Sequence, residues 1–311
     1  MTTFQFLLIA RWIHFASVFA LFGSSFFWFY MGPERSSAGP NGLPRALRAT
    51  IILLRVAAPV AALSGGAWLA GMLVHMTSDI GSLVDPETLR LFFFNTPFGA
   101  VAIIRLTLLA LGVGVAASPW HGRTWMSALM HIGALLLVSQ AWLGHAAEGG
   151  TGLYGDAMIA AYAIHVLAAG AWVGGLPPLL FALAEQRRFG PEEARKCSLD
   201  IMSRYSLMAM IAVTFIVLSG IVSAGFRVAG SFDKLFYTSY GDALVTKSVV
   251  VAVMLALACF NRFVAMPKLR VASLKGMTQI DRLGYSVACE LALGLLVLAA
   301  AAVLGVTMPP Q

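Results

Sequence analysis

Apolar residues fall in long runs along this chain, separated by short segments rich in Gly, Pro and charge. A helix needs about 20 mostly apolar residues to cross a bilayer. Eight stretches meet that length: 4–31, 51–76, 97–117, 126–147, 158–184, 205–226, 242–264 and 284–306. The connections include GPERSSAGPNGLP, SPWHGRT, AEGGTGLYGD and AMPKLRVASLKG, whose breakers end helices. None of them holds a soluble domain. The pattern predicts an all-α integral membrane protein, with eight transmembrane helices bundled into a single transmembrane domain over residues 1–311.

Charge orients the bundle. The segments after spans 1, 3, 5 and 7 carry most of the Lys and Arg, among them Arg45, Arg123, Arg187, Arg195, Lys268 and Arg282. Those after spans 2, 4 and 6 carry only Arg90, Arg227 and Lys234. Basic loops stay in the cytoplasm, so both termini are expected on the outer side. Composition agrees: 59% of the 311 residues are hydrophobic and 11% are charged, against about 25% charged in soluble domains. In that context the net charge of +7 reflects cytoplasmic loops and no nucleic-acid partner. The first apolar run contains Arg11 and lacks a basic leader, so it reads as a span and not as a cleavable signal.

The topology gathers the histidines. Met72, His75 and Met76, in GMLVHMTSD, sit at i, i+3 and i+4 on one helical face at the outer end of span 2. His145 ends span 4 at the same side, and His165 lies about a third of the way into span 5. His14 is roughly 15 Å into span 1 at the rise of a helix. His131 lies in the inner part of span 4 and His121 in a cytoplasmic loop. One such histidine would more often bond across a helix pair. Four in the outer half, on four helices, with Met72, Met76 and Met158 nearby, point to a site, because ionisable groups in a membrane are costly. Imidazole and thioether suit copper(I) without any thiol to deprotonate.

The other polar residues leave alternatives. Cys197, Cys259 and Cys289 lie toward the inner side, as a soft-ligand exit or as packing residues. Arg55 and Glu290, at similar depth, are expected to pair. Arg11, Arg105 and Lys247 lie in the outer half, where they would pair with Asp242 or Asp156, cap carbonyls or hold anionic groups such as haem propionates.

The phrases ARWIHFASVFALFG, SQAWLGHA, HVLAAGAWVGGLPPL, RYSLMAMIAVTFIVLSGIVSAGFR, YGDALVTKSVVVAVMLALACFNR and ACELALGLLVLAAAAVLGVTMPP together resemble the copper resistance protein D (CopD) family of bacterial inner-membrane proteins. The resemblance implies copper handling at the inner membrane, with a small periplasmic CopC-like copper-binding protein as donor. By position, His14, His145 and His165 match the family's membrane histidines, and Asn261 and Arg262 a helix-end phrase with a structural role. MLVHM in span 2 has no match in that pattern, so its role rests on its chemistry. The expected function is copper transport and homeostasis: copper passes from the carrier to Met72, His75, Met76 and His145, then to His14 and His165. The chain has no GxxxxGK[ST] phosphate loop, and no enzymatic activity is expected. The alternative is a b-type haem electron-transfer protein that reduces copper or oxidises quinol. Its axial pairs would be His14/His165 and His75/His145.

Overall fold

The computed structural model describes residues 2–32, 44–143, 152–228, 238–271 and 276–307. The described residues form helices joined by short turns, with no strand among them, and eight of the helices are long and apolar enough to cross a membrane. They are α1 (Thr3–Met31), α2 (Arg45–Thr77), α4 (Pro97–Ala117), α5 (Arg123–Ser139), α6 (Leu153–Glu185), α7 (Pro191–Val228), α8 (Ser239–Phe260) and α10 (Gly276–Leu304). Among the described residues two shorter α-helices join them: α3 (Pro86–Asn95), before α4, and α9 (Met266–Val271), which follows α8 through a π-helical turn, Asn261–Ala265.

Local chemistry fixes the helix starts. Thr2 and Gln5 form a reciprocal capping box at α1. Thr96 caps α4 by accepting from the Gly99 amide, with Pro97 in the first turn, where a missing N–H costs nothing. Asp85 caps α3, and the bond from the Thr88 hydroxyl holds its carboxyl below the usual carboxylate range. At the other end of the bundle, the Glu185 carboxylate caps α2 from outside by accepting from the amides of Arg45 (2.8 Å) and Ala46 (3.3 Å).

α1 lies at the centre, packed by α2, α5, α6 and α10. Its contact with α6 is backbone on backbone. A Cβ on Gly174 would land on the Phe19 carbonyl oxygen, and one on Gly23 would land on the backbone of Gly170 and Gly174. Small residues four apart allow this approach in membranes. Pro178 cannot donate to the Gly174 carbonyl, and the Ser24 hydroxyl donates to it instead at 2.9 Å.

Most expected spans recur with shifted ends, and 97–117 matches α4 residue for residue. α7 begins at Pro191, fourteen residues before the expected 205, because the loop it absorbs holds the helical ion pairs Glu192–Lys196 and Asp200–Arg204. Span 4 loses its α-helix after Ser139 and tightens into a 3-10 turn, Gln140–Trp142. α3 was not expected: its ten residues are too few to span a membrane. The expected Arg55–Glu290 pair does not form. Arg55 on α2 donates to the Ser118 carbonyl just past α4, and buried Glu290 on α10 accepts from Asn261 in the π-turn. The two charges face different neighbours, which depth alone does not reveal.

Gly174→Leu is expected to separate α1 from α6 and lower stability by about 2 kcal/mol or more. Thermal unfolding in detergent measures this, with Gly66→Leu, where a Cβ meets open space, as the tolerated control.

Candidate functional site

The residues expected in the outer half divide into a rim and an intramembrane cavity. At the rim, α2 ends at Ser78 in the left-handed conformation, so Met72, His75 and Met76 occupy its last two turns. Met72 is half-buried against the cluster of Leu7, Ala10 and Trp68, while His75 and Met76 are exposed. The C-terminal end of a helix carries partial negative charge, and Asp79 follows within one turn, so this rim favours a cation. Leu143 packs on the same cluster as Met72. His145, two residues further, lies outside the described residues, as does the segment 144–151.

Below the rim, a cavity of about 970 Å³, open mouth included, lies between α1, α4, α5, α6, α8 and α10. His14 and His165, eleven and twelve residues into α1 and α6, both line it. So do Arg11, Arg105, Gln140 and Lys247. These side chains come from helices distant in sequence, and their common depth brings them to one level.

Hydrogen bonds set both imidazoles. His14 is 1% exposed. Its Nδ1 is 2.9 Å from the Ala61 carbonyl, which only accepts, and its Nε2 is 2.7 Å from Arg105 Nη2, which only donates. His14 is therefore neutral, protonated on Nδ1, with its Nε2 lone pair held by Arg105. His165 Nδ1 is 3.1 Å from Ser219 Oγ, whose own proton goes to the carbonyls of Phe215 and Ile216. His165 thus donates to Ser219 and carries its lone pair on Nε2. An imidazole that donates from one nitrogen to a fixed oxygen and keeps the other basic has the orientation typical of a metal ligand.

The arginines resolve by one of the expected routes: they cap carbonyls. Arg11 Nη1 donates to Gly305 at 2.7 Å. Arg105 Nη1 donates to Leu136 and to the Ser139 hydroxyl, both at 2.7 Å. Asp156 and Asp242 are exposed and make no bond to either arginine. Among the described residues no group of three His, Cys, Asp or Glu side chains is arranged for a metal. The cysteines do not gather: Cys259 and Cys289 are exposed and Cys197 is half-buried. His131 is exposed and bonds its own helix at Ser127, and His121 lies in the turn before α5. Gln140 and Tyr162, which sequence reading did not single out, also line the cavity. Gln140 is the first residue past α5, and a polar residue there carries no sequence signal apart from tertiary contact.

A haem bound through His14 and His165 does not fit this arrangement, because Arg105 occupies the His14 lone pair.

Residues 1–156 match the family described as Copper resistance protein D-like, N-terminal domain, and residues 199–304 match Copper resistance protein D. The chain is 30% identical over 270 residues to the copper transport protein CutJ of Bacillus subtilis (strain 168), covering 84% of this chain and 44% of that protein. It is 29% identical over 223 residues to copper resistance protein D of Pseudomonas syringae pv. tomato, covering 69% and 70%. With the inner membrane protein YebZ of Escherichia coli (strain K12) it shares 25% over 264 residues, covering 84% of each. The chain thus spans less than half the length of CutJ. No solved structure matches it.

His14→Leu is expected to lower stability by about 2–3 kcal/mol, because it removes an acceptor from buried Arg105 and a donor from Ala61. His131→Leu, at an exposed position, is expected to change it by about 0.5 kcal/mol or less. Parallel thermal unfolding of the two variants checks the difference.

Proposed function

The chain belongs to the copper resistance protein D family, and on that premise we propose that it carries copper inward across the inner membrane. The observation that supports this reading best is the stacking of a Met/His turn above a cavity lined by two histidines with matching tautomers. Both termini face the periplasm in this proposal, so the end of α2 meets a copper carrier of the CopC kind. Met72, His75 and Met76, with His145, take the ion at the rim, where the α2 terminus and Asp79 attract a cation.

The next ligand is His165 through Nε2. His14 becomes available only when the Arg105 guanidinium turns from it toward its other acceptors, Leu136 and Ser139. Ligation in steps, each weak enough to release, is what conduction requires. No bond in the cargo is made or broken, so no catalytic residue is assigned. The driving force is the membrane potential or handover to a cytoplasmic acceptor.

His165→Ala and the double variant Met72→Leu/His75→Ala are expected to lower copper accumulation by roughly tenfold, the scale on which metal-site shells act. Cellular copper, normalised to the amount of membrane-inserted protein, is the readout, and uptake unchanged in both variants would remove these residues from the path. A visible spectrum of protein purified from haem-supplemented cells, before and after dithionite, is expected to show no Soret band. An intense one, lost in His165→Ala, would replace the transport reading with haem-based electron transfer.

A further inference from the structure

Arg11 and Arg105 are 5% and 2% exposed, and among the described residues neither meets a carboxylate. Their guanidinium carbons sit 5.4 and 5.7 Å from the same ring, that of Trp68. Every hydrogen-bond acceptor they use is neutral. Two like charges beside one indole, away from bulk water, repel each other with little screening. A cation path gains nothing from such a wall.

A second observation points the same way. Gln140, 4% exposed on the same cavity, has no partner for either its Nε2 or its Oε1, and Arg11 Nε is likewise buried without an acceptor. Buried polar atoms of this kind are rare unless something outside the protein satisfies them. Among the described residues no Asp or Glu lines the cavity.

We infer that the cavity is a binding site for an oxyanion, a carboxylate or phosphate, carried on an apolar body. Arg11 Nε, Arg105 and the Gln140 amide supply the donors, and charge-assisted bonds of this type are the strong ones. Phe15, Val18, Leu137, Val297 and Leu304 supply an apolar wall. His165, Tyr162 and Lys247 also line a second hollow of about 1520 Å³, open mouth included, between α6, α7, α8 and α10. That hollow is lined by Val217, Ile221, Leu244 and Val251 among others, and suits an acyl chain or flat apolar ring. An anion seated here also competes with His14 for the Arg105 guanidinium, which ties its occupancy to the availability of the His14 lone pair. The inference does not depend on copper being the cargo.

The test is native mass spectrometry of the full chain in a neutral detergent, with oleate, dioleoylphosphatidylglycerol and dioleoylglycerol, which has no oxyanion, as probes. Wild type is expected to retain one oleate or phosphatidylglycerol and to release dioleoylglycerol. Arg11→Gln and Arg105→Gln are expected to weaken retention of the anionic probes by about tenfold or more. Gln140→Leu keeps both charges and the side-chain volume, and so reports on the site even if an arginine variant fails to fold. A co-purified adduct of lipid mass identifies the oxyanion as phosphate, and one with a Soret band identifies it as a pigment carboxylate; both support the site. Equal retention of all three probes overturns it, as does anionic retention unchanged in Gln140→Leu and in whichever arginine variant folds.

Discussion

The rest of the bundle depends on the contact between α1 and α6, where Gly23, Gly170 and Gly174 let two backbones touch. Lipid tails offer no hydrophobic drive for helices to associate, so close packing and satisfied polar groups must hold them. The contact supplies both. It brings Phe19 against the α6 backbone, and it places the Ser24 hydroxyl on the carbonyl that Pro178 leaves without a donor. Tyr205 of α7 donates to Trp172 one turn away, so the same part of α6 also anchors the next helix. With α1 held at the centre, residues projecting from it reach α2, α4 and α10 at once.

His14 shows what that central position achieves. It bonds α2 through Ala61 and α4 through Arg105, and Arg105 in turn bonds α5 through Leu136 and Ser139. One imidazole and one guanidinium thus connect four helices inside the membrane. In a low-dielectric interior such a network is strong when complete and costly when broken. Structural and functional demands on His14 therefore coincide: the nitrogen that would ligate a metal is the one that satisfies an arginine.

The rim and the cavity also differ in sign. The end of α2, with its thioethers, imidazole and nearby Asp79, is suited to a soft cation. The cavity below carries Arg11, Arg105 and Lys247 and, among the described residues, no acid. In the proposed transport reading, a site for capture and a site of opposite preference lie in series, and a cation crossing the second level is helped by whatever neutralises it. On the opposite side of the bundle the polar contacts read as bracing: Glu185 caps α2, Arg187 pairs with Asp281, Asn261 bonds Glu290 and Arg262 bonds Ser206.

The sequence by itself determined the class of the protein, the number of its long helices and the shared level of His14, His165, Arg11 and Arg105. These follow from hydrophobic run length and helical rise, which are local quantities. Even the choice of carbonyl capping for the arginines stood among the options that depth allowed. Which helices become neighbours is not local. Depth made Arg55 and Glu290 look like partners, yet one faces α4 and the other the π-turn after α8. Only the tertiary structure set Arg105 against the His14 lone pair and left Gln140 unpartnered on a cationic cavity. Those contacts arise from how helices are rotated and crossed, to which close approaches at Gly23, Gly133 and Gly174 contribute, and the significance of those glycines lies in what packs against them.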